Sequence, residues 1–178
     1  MRPPWPAFAL SLLLLTGCSV RTILVNGHVE PDEWQDARVI FEGGGYRVFR
    51  KADARYLYLA VGFSAQKHTG IDLVLAAQSG EQILLHVSTA CGIKRMAPGG
   101  SWSEYEWSVK QWGCNPVGGI VEDGKMKFLE PGGFEFQIER RLLLAGPLKL
   151  RMQLKRPAVV VPEGSSAEDT AGWVKVDA

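Results

Sequence analysis

Between positions 102 and 112 the chain reads Trp-Ser-Glu-Tyr-Glu-Trp-Ser-Val-Lys-Gln-Trp, a run that holds three of the six tryptophans in its 178 residues. Indole faces can stack on the apolar C–H faces of sugar rings, and nearby carboxylates and amines can hydrogen-bond the hydroxyls. If Glu104 to Trp112 is one strand, its period of two puts Tyr105, Trp107 and Val109 on one face. Glu104, Glu106, Ser108, Lys110 and Trp112 take the other. The first set reads as core and the second as a solvated face with one exposed ring. Trp102 precedes that strand, after the flexible Ala97-Pro98-Gly99-Gly100-Ser101. The candidate ligand-binding residues are therefore Trp102 and Trp112 as stacking rings, with Glu106 and Lys110 supplying hydrogen bonds. The same rings could instead cap the core, or anchor a protein partner.

Other chemistry is less well supplied. Glu104 and Glu106 are same-face neighbours on a strand, whereas glycosidase carboxylates flank the scissile bond from opposing positions with one held protonated. His28, His68 and His86 are dispersed, with no metal-ligand spacing. His28 with Glu30, Asp32 and Glu33 is a weak calcium signal. No nucleophile elbow or phosphate-cradling loop occurs, and Gly43-Gly44-Gly45 reads as the joint between two strands. No catalytic residue is assigned, and the chain reads as non-enzymatic. Heme is the sharpest rival cofactor: His68, His86, Met96, Met126 and Met152 are available as axial ligands, without a covalent attachment motif.

The elements that must position these side chains are strands. Tyr46–Lys51 and Tyr56–Phe63 are β-rich and joined by a polar turn, with Leu57, Leu59, Val61 and Phe63 on one face. Ile71–Ala77 and Glu81–Val87 flank Gln78-Ser79-Gly80, and Val121 and Lys125–Phe128 flank Glu122-Asp123-Gly124. Phe134–Ile138 alternates strictly, as does Leu148–Leu154 with Leu148, Leu150, Met152 and Leu154 inward. Helix is confined to a turn near Asp32–Ala37 and another near Arg140–Leu144. Residues 156–172 show no clear periodicity. Short strands with frequent turns predict an all-β fold, an antiparallel β-sandwich of jelly-roll type.

Ala7 to Leu15 is apolar, preceded by Arg2 and followed by Leu15-Thr16-Gly17-Cys18. This stretch resembles the lipobox of a bacterial lipoprotein signal peptide. The resemblance implies removal of residues 1–17, lipidation of Cys18, and a short tether (residues 18–21) before the sandwich (22–178). The apolar core is shorter than the ~20 residues that span a bilayer. Ser19 after the cysteine resembles the pattern sorted to the outer membrane. With a first strand near Thr22, the tether reaches on the order of 15 Å, at ~3.3 Å per extended residue. The expected place is the cell envelope, with the membrane as a partner through the anchor.

The whole chain has 20 basic and 19 acidic side chains, and loss of the leader removes Arg2 alone. That balance offers no basic excess for nucleic acid. With Cys18 acylated, Cys91 and Cys114 remain as a pair, and a disulfide between them is expected in an oxidising compartment. Both Trp102 and Trp112 lie inside the loop it would close.

Val25-Asn26-Gly27-His28-Val29-Glu30-Pro31-Asp32-Glu33-Trp34-Gln35-Asp36-Ala37 resembles the opening of family 9 carbohydrate-binding modules, which carry Asp-Gly and then an acidic residue, Trp and Ala. Arg55–Val61 is similar to that family's next strand, and Phe134–Ile138 with Leu142–Leu144 to its late strand and turn. The likeness covers residues 22–63 and 134–154. It implies a β-sandwich that binds a glycan, or the heme-carrying DOMON relatives of the same fold. Trp34 is read as structural, its ring folded onto the sandwich. The expected function is non-catalytic binding of a glycan or envelope polymer. A protein adaptor in an envelope complex and a heme electron-transfer domain are the alternatives.

Overall fold

The computed structural model describes residues 25–29, 31–64, 66–107, 109–116, 119–128 and 131–176. The leader, Cys18 and the tether lie outside them. The described part holds one helical turn, α1 (Pro31–Trp34), and the strands β1 (Arg38–Gly43), β2 (Tyr46–Ala52), β3 (Tyr56–Phe63), β4 (Gly70–Ala77), β5 (Gln82–Val87), β6 (Cys91–Met96) and β7 (Glu106–Trp107). These are followed by β8 (Trp112–Cys114), β9 (Gly119–Glu122), β10 (Lys125–Phe128), β11 (Gly133–Glu139), β12 (Leu148–Lys155), β13 (Val159–Val161) and β14 (Val174–Val176), with a 3-10 turn at Arg140–Leu142.

A five-stranded sheet runs β1-β2-β3-β11-β8. A seven-stranded sheet runs β13-β12-β4-β5-β6-β7, and β14 shares the outer edge of β12 with β13. β9 and β10 form a separate hairpin. Neighbouring strands pair antiparallel throughout both sheets. The two sheets pack as a β-sandwich because each carries an alternating apolar face. Leu57, Leu59, Val61, Phe134, Phe136 and Ile138 come from one, and Ile71, Leu73, Leu75, Leu85, Leu150 and Met152 from the other. The inward faces expected of β3 and β12 are those observed.

Cys91 on β6 and Cys114 on β8 form a disulfide, Cα atoms 6.8 Å apart, that staples the larger sheet to the smaller. Closing a loop of 23 residues constrains the unfolded chain by about 3 kcal/mol in the chain-entropy model. The double substitution Cys91→Ser with Cys114→Ser is expected to lower unfolding stability by that amount in urea titration, and a reductant should do the same to the parent protein.

One expectation is corrected. Residues 104–112 do not form one strand: β7 ends at Trp107, and a turn at 110–111 precedes β8 in the other sheet. The chain crosses between sheets there, so the alternation read across the whole run does not hold. Trp107, expected inward, is 52% exposed, while Trp112, expected outward, is 8% exposed and stacked on Phe136.

Candidate functional site

The outer face of the larger sheet gathers the groups best suited to bind something. One rung across that face reads Trp107, Gly92, His86, Asp72 and Gln153, each paired with the next. Two residues further along β6, Lys94 pairs with Leu84, and two further still Met96 pairs with Trp102 through an isolated bridge. At ~3.4 Å per residue, the four steps from Gly92 to Met96 set Trp107 and Trp102 on the order of 14 Å apart on one face.

Gly92 seats the platform. A side chain there would meet the Trp107 ring at 2.7 Å and the Tyr105 ring at 3.0 Å, so its absence lets both rings lie close over the strand. Tyr105 and Trp107, two apart in sequence, hold their centroids 4.7 Å apart at 30°. Lys94 Nζ sits 4.2 Å from the Tyr105 ring centre. His86 packs perpendicular to Trp107 at 6.1 Å and against Tyr105 at 5.6 Å. Burial, with the Asp72 charge, pushes the Tyr105 hydroxyl above its ordinary range, so it remains a donor at neutral pH.

Beneath the platform, His86 Nδ1 lies 2.6 Å from Asp72 Oδ1, and its Nε2 lies 2.9 Å from Ser88 Oγ. A carboxylate only accepts, so Nδ1 carries the proton, and in the neutral ring Nε2 accepts from the Ser88 hydroxyl. Lys155 Nζ reaches the other Asp72 oxygen at 2.5 Å. Carboxylate, imidazole and hydroxyl stand in the order of an acyl-transfer relay. Yet the Ser88 N–H, the first candidate to stabilise an oxyanion, donates to the Ala90 carbonyl at 3.0 Å. The relay is therefore read as a clamp that orients His86 and Ser88.

Burial raises the Asp72 pKa, but hydrogen bonds from His86 and Lys155 and their charges outweigh it and hold the carboxyl below its usual value. With the native value lowered, its stabilisation is present above the unfolded carboxyl's range near pH 4 and lost as pH falls through the native value. Asp72→Asn is expected to cost about 1–3 kcal/mol at pH 7. Denaturant titration from pH 7 to 3 should find that penalty shrinking below about pH 4.

A pocket of about 440 Å³ opens beside His86 and Ser88, with Lys155 and Arg156 on its far side. Larger grooves of about 750 and 680 Å³ flank the β1–β2 hairpin. Within their linings, Glu42 and Arg47 pair with each other, and the Trp34 N–H is bound to Glu135. Among the described residues, Trp107 and Val39 are the large hydrophobic side chains left exposed.

The residues expected from sequence to bind ligand are scattered. Trp102 is partly buried on the same outer face as Trp107, packed with Val74, Ala76 and Trp173. Trp112 is a core residue and offers no free ring face. Glu106 is exposed beside Arg95, at 3.9 Å, and pairs in register with inward Ile93, so its side chain leaves the strand opposite to Trp107. Lys110 is exposed in the turn before β8. Sequence reasoning missed Gly92 and Trp107. The available signal was a glycine in a strand beside Cys91, which often marks close approach of another group.

Of the heme candidates, His68, His86 and Met152 are already engaged or buried. His68 is wholly buried, with Nε2 3.0 Å from the Tyr46 hydroxyl and Nδ1 3.1 Å from the Pro157 carbonyl. Both His86 nitrogens are engaged as described, and Met152 is wholly buried between the sheets. Met96 sits in the rung of Trp102; the Met126 side chain lies outside the described ones. No cluster of three or more potential metal ligands occurs among the described residues, and Glu30 is outside them.

Trp34 is the structural residue expected. It is 2% exposed on the outer face of the smaller sheet against Ala60, and its Nε1 donates to Glu135 Oε1 at 2.9 Å. Glu135 Oε2 accepts from the backbone N–H groups of Asn26 and Gly27, both at 2.9 Å. One buried carboxylate therefore holds the entry turn, α1 and β11 together. The side chain of Asn26 accepts from the His28 N–H at 2.7 Å, a role that needs only an oxygen.

Comparison of the chain with protein-family models, with curated proteins and with solved structures finds no match.

Proposed function

We propose that this protein is a non-catalytic binding lipoprotein for a glycan or cell-envelope polymer. On this reading Cys18 carries the lipid anchor that holds a jelly-roll-like sandwich at the membrane, most naturally the outer membrane. The observation that carries it is the platform of Tyr105 and half-exposed Trp107, seated over Gly92 in a row that continues to Trp102. A linear polymer suits such a row. Rings spaced on the order of 14 Å match a short run of sugar units, and the Tyr105 hydroxyl can hydrogen-bond a sugar between them. The pinning of this segment by the Cys91–Cys114 disulfide supports the same reading, because a preordered surface loses less entropy on binding.

The test is a binding screen of the full-length protein in detergent against peptidoglycan, envelope polysaccharides and plant and bacterial glycans, read by calorimetry and tryptophan fluorescence. Saturable binding that Trp107→Ala removes supports the reading. Failure to bind any polymer overturns it and turns attention to an envelope protein partner on the same surface.

A further inference from the structure

We infer, on the footing of that glycan-binding reading, that the pocket beside the platform takes an oxyanion of the polymer, a carboxylate or a phosphate, and that Arg156 is its recognition group. The pocket and the platform are contiguous because His86 serves both, lining one and packing its ring against Trp107 and Tyr105 of the other. Around the pocket stand the hydroxyl-bearing residues Thr69, Ser88 and Thr89 and the cations Lys155 and Arg156, with no acidic side chain in the lining. Lys155 and His86 are already matched to Asp72. Arg156 is exposed and, among the described residues, makes no side-chain hydrogen bond or ion pair. Its charge therefore faces the pocket uncompensated, in company with the Thr69 and Thr89 hydroxyls, which is a donor set that suits an oxyanion.

The backbone supplies an independent argument. Arg156 adopts φ +51°, in the left-handed region that costs a side-chain-bearing residue about 1–2 kcal/mol. Among the described residues, eight other positive-φ positions are glycine, and the remaining one is Asp123, which opens the Asp123-Gly124 turn between β9 and β10. Aspartate and glycine are ordinary occupants of such a turn. A turn that needed only its shape would be served by glycine at position 156 too. Arginine there keeps a guanidinium at the mouth of the pocket.

The experiment measures binding of the full-length protein in detergent to polygalacturonate, to its carboxyl-reduced neutral form, and to poly(glycerol phosphate). The expected result is at least tenfold tighter binding of one or both charged polymers than of the neutral one, with Arg156→Gln bringing the affinities together. The two charged polymers distinguish carboxylate from phosphate as the source. Arg156→Gly should erase the same preference while leaving the melting temperature equal or higher, which separates lost recognition from lost folding. Equal binding of charged and neutral polymers, or a preference that survives both variants, overturns the oxyanion subsite and leaves the glycan reading standing. Failure to bind any of these, or any polymer of the wider screen, overturns both.

Discussion

Replacing Glu135 with alanine is expected to destabilise the fold by about 3–4 kcal/mol, a larger effect than loss of any surface ion pair. The carboxylate is wholly buried and accepts three N–H donors: Asn26, Gly27 and the Trp34 indole. Its removal leaves those donors without partners and opens a cavity beneath α1. The Asn115 side chain bonds the β11 backbone on either side, accepting from the Glu135 N–H at 2.7 Å and donating to the Gly133 carbonyl at 3.2 Å. Loosening at this point therefore spreads to the end of β8. Glu135→Gln should be milder, about 1–2 kcal/mol. Its amide oxygen can serve one side of the cluster, but its NH₂ then faces a donor on the other.

The pH dependence has a definite sign. Burial, with a smaller push from the Glu33 charge, raises the Glu135 pKa despite the three donors. A raised native pKa means that the stabilisation is fully present below the unfolded value and is lost as pH rises through the native one. The difference between the parent protein and Glu135→Gln should therefore be largest in acid and narrow toward neutral pH. Urea titrations at a series of pH values check both magnitude and direction. A penalty that grew with rising pH would contradict this account.

Trp107→Ala is expected to weaken polymer binding ten- to a hundredfold, about 1.4–2.7 kcal/mol, while changing unfolding stability by less than about 1 kcal/mol. The ring is 52% exposed and covers Gly92 rather than filling the core. Trp112→Ala should do the opposite. That indole is stacked on Phe136 between the sheets, with ring centres 6.5 Å apart, and truncation of such a residue costs about 3–5 kcal/mol. Calorimetric titration and denaturant unfolding of both variants separate the roles. Equal loss of stability in the two would remove Trp107 as a surface platform.

Much of the scaffold was legible in the chain. The alternation of Leu148-Lys149-Leu150-Arg151-Met152-Gln153-Leu154 specifies both a strand and its buried face, because period-two patterning over seven residues has no competing reading. Gln78-Ser79-Gly80 and Asp123-Gly124 announced their hairpins through turn chemistry that is local to a few residues. The disulfide pairing was legible by counting, and the core role of Trp34 from its place one turn after Pro31.

Residues 156–172 were opaque because their partners are distant. The Thr170 and Ser165 carbonyls accept from Lys149 and Arg151 on the outer face of β12, and the Ser166 carbonyl accepts from the Trp173 indole. The aromatic run deceived for a related reason. Alternation predicts faces only while a strand stays in one sheet, and between Trp107 and Trp112 the chain leaves the larger sheet for the smaller. What the sequence by itself determined is the longer strands β2, β3, β4, β5, β11 and β12, the inward faces of β3 and β12, and the all-β sandwich class, since those follow from short-range periodicity. The assembly of Trp107, Gly92, His86, Asp72 and Lys155 was decided by tertiary structure alone. It depends on the register between β12, β4, β5, β6 and β7, and that register is a property of packed sheets.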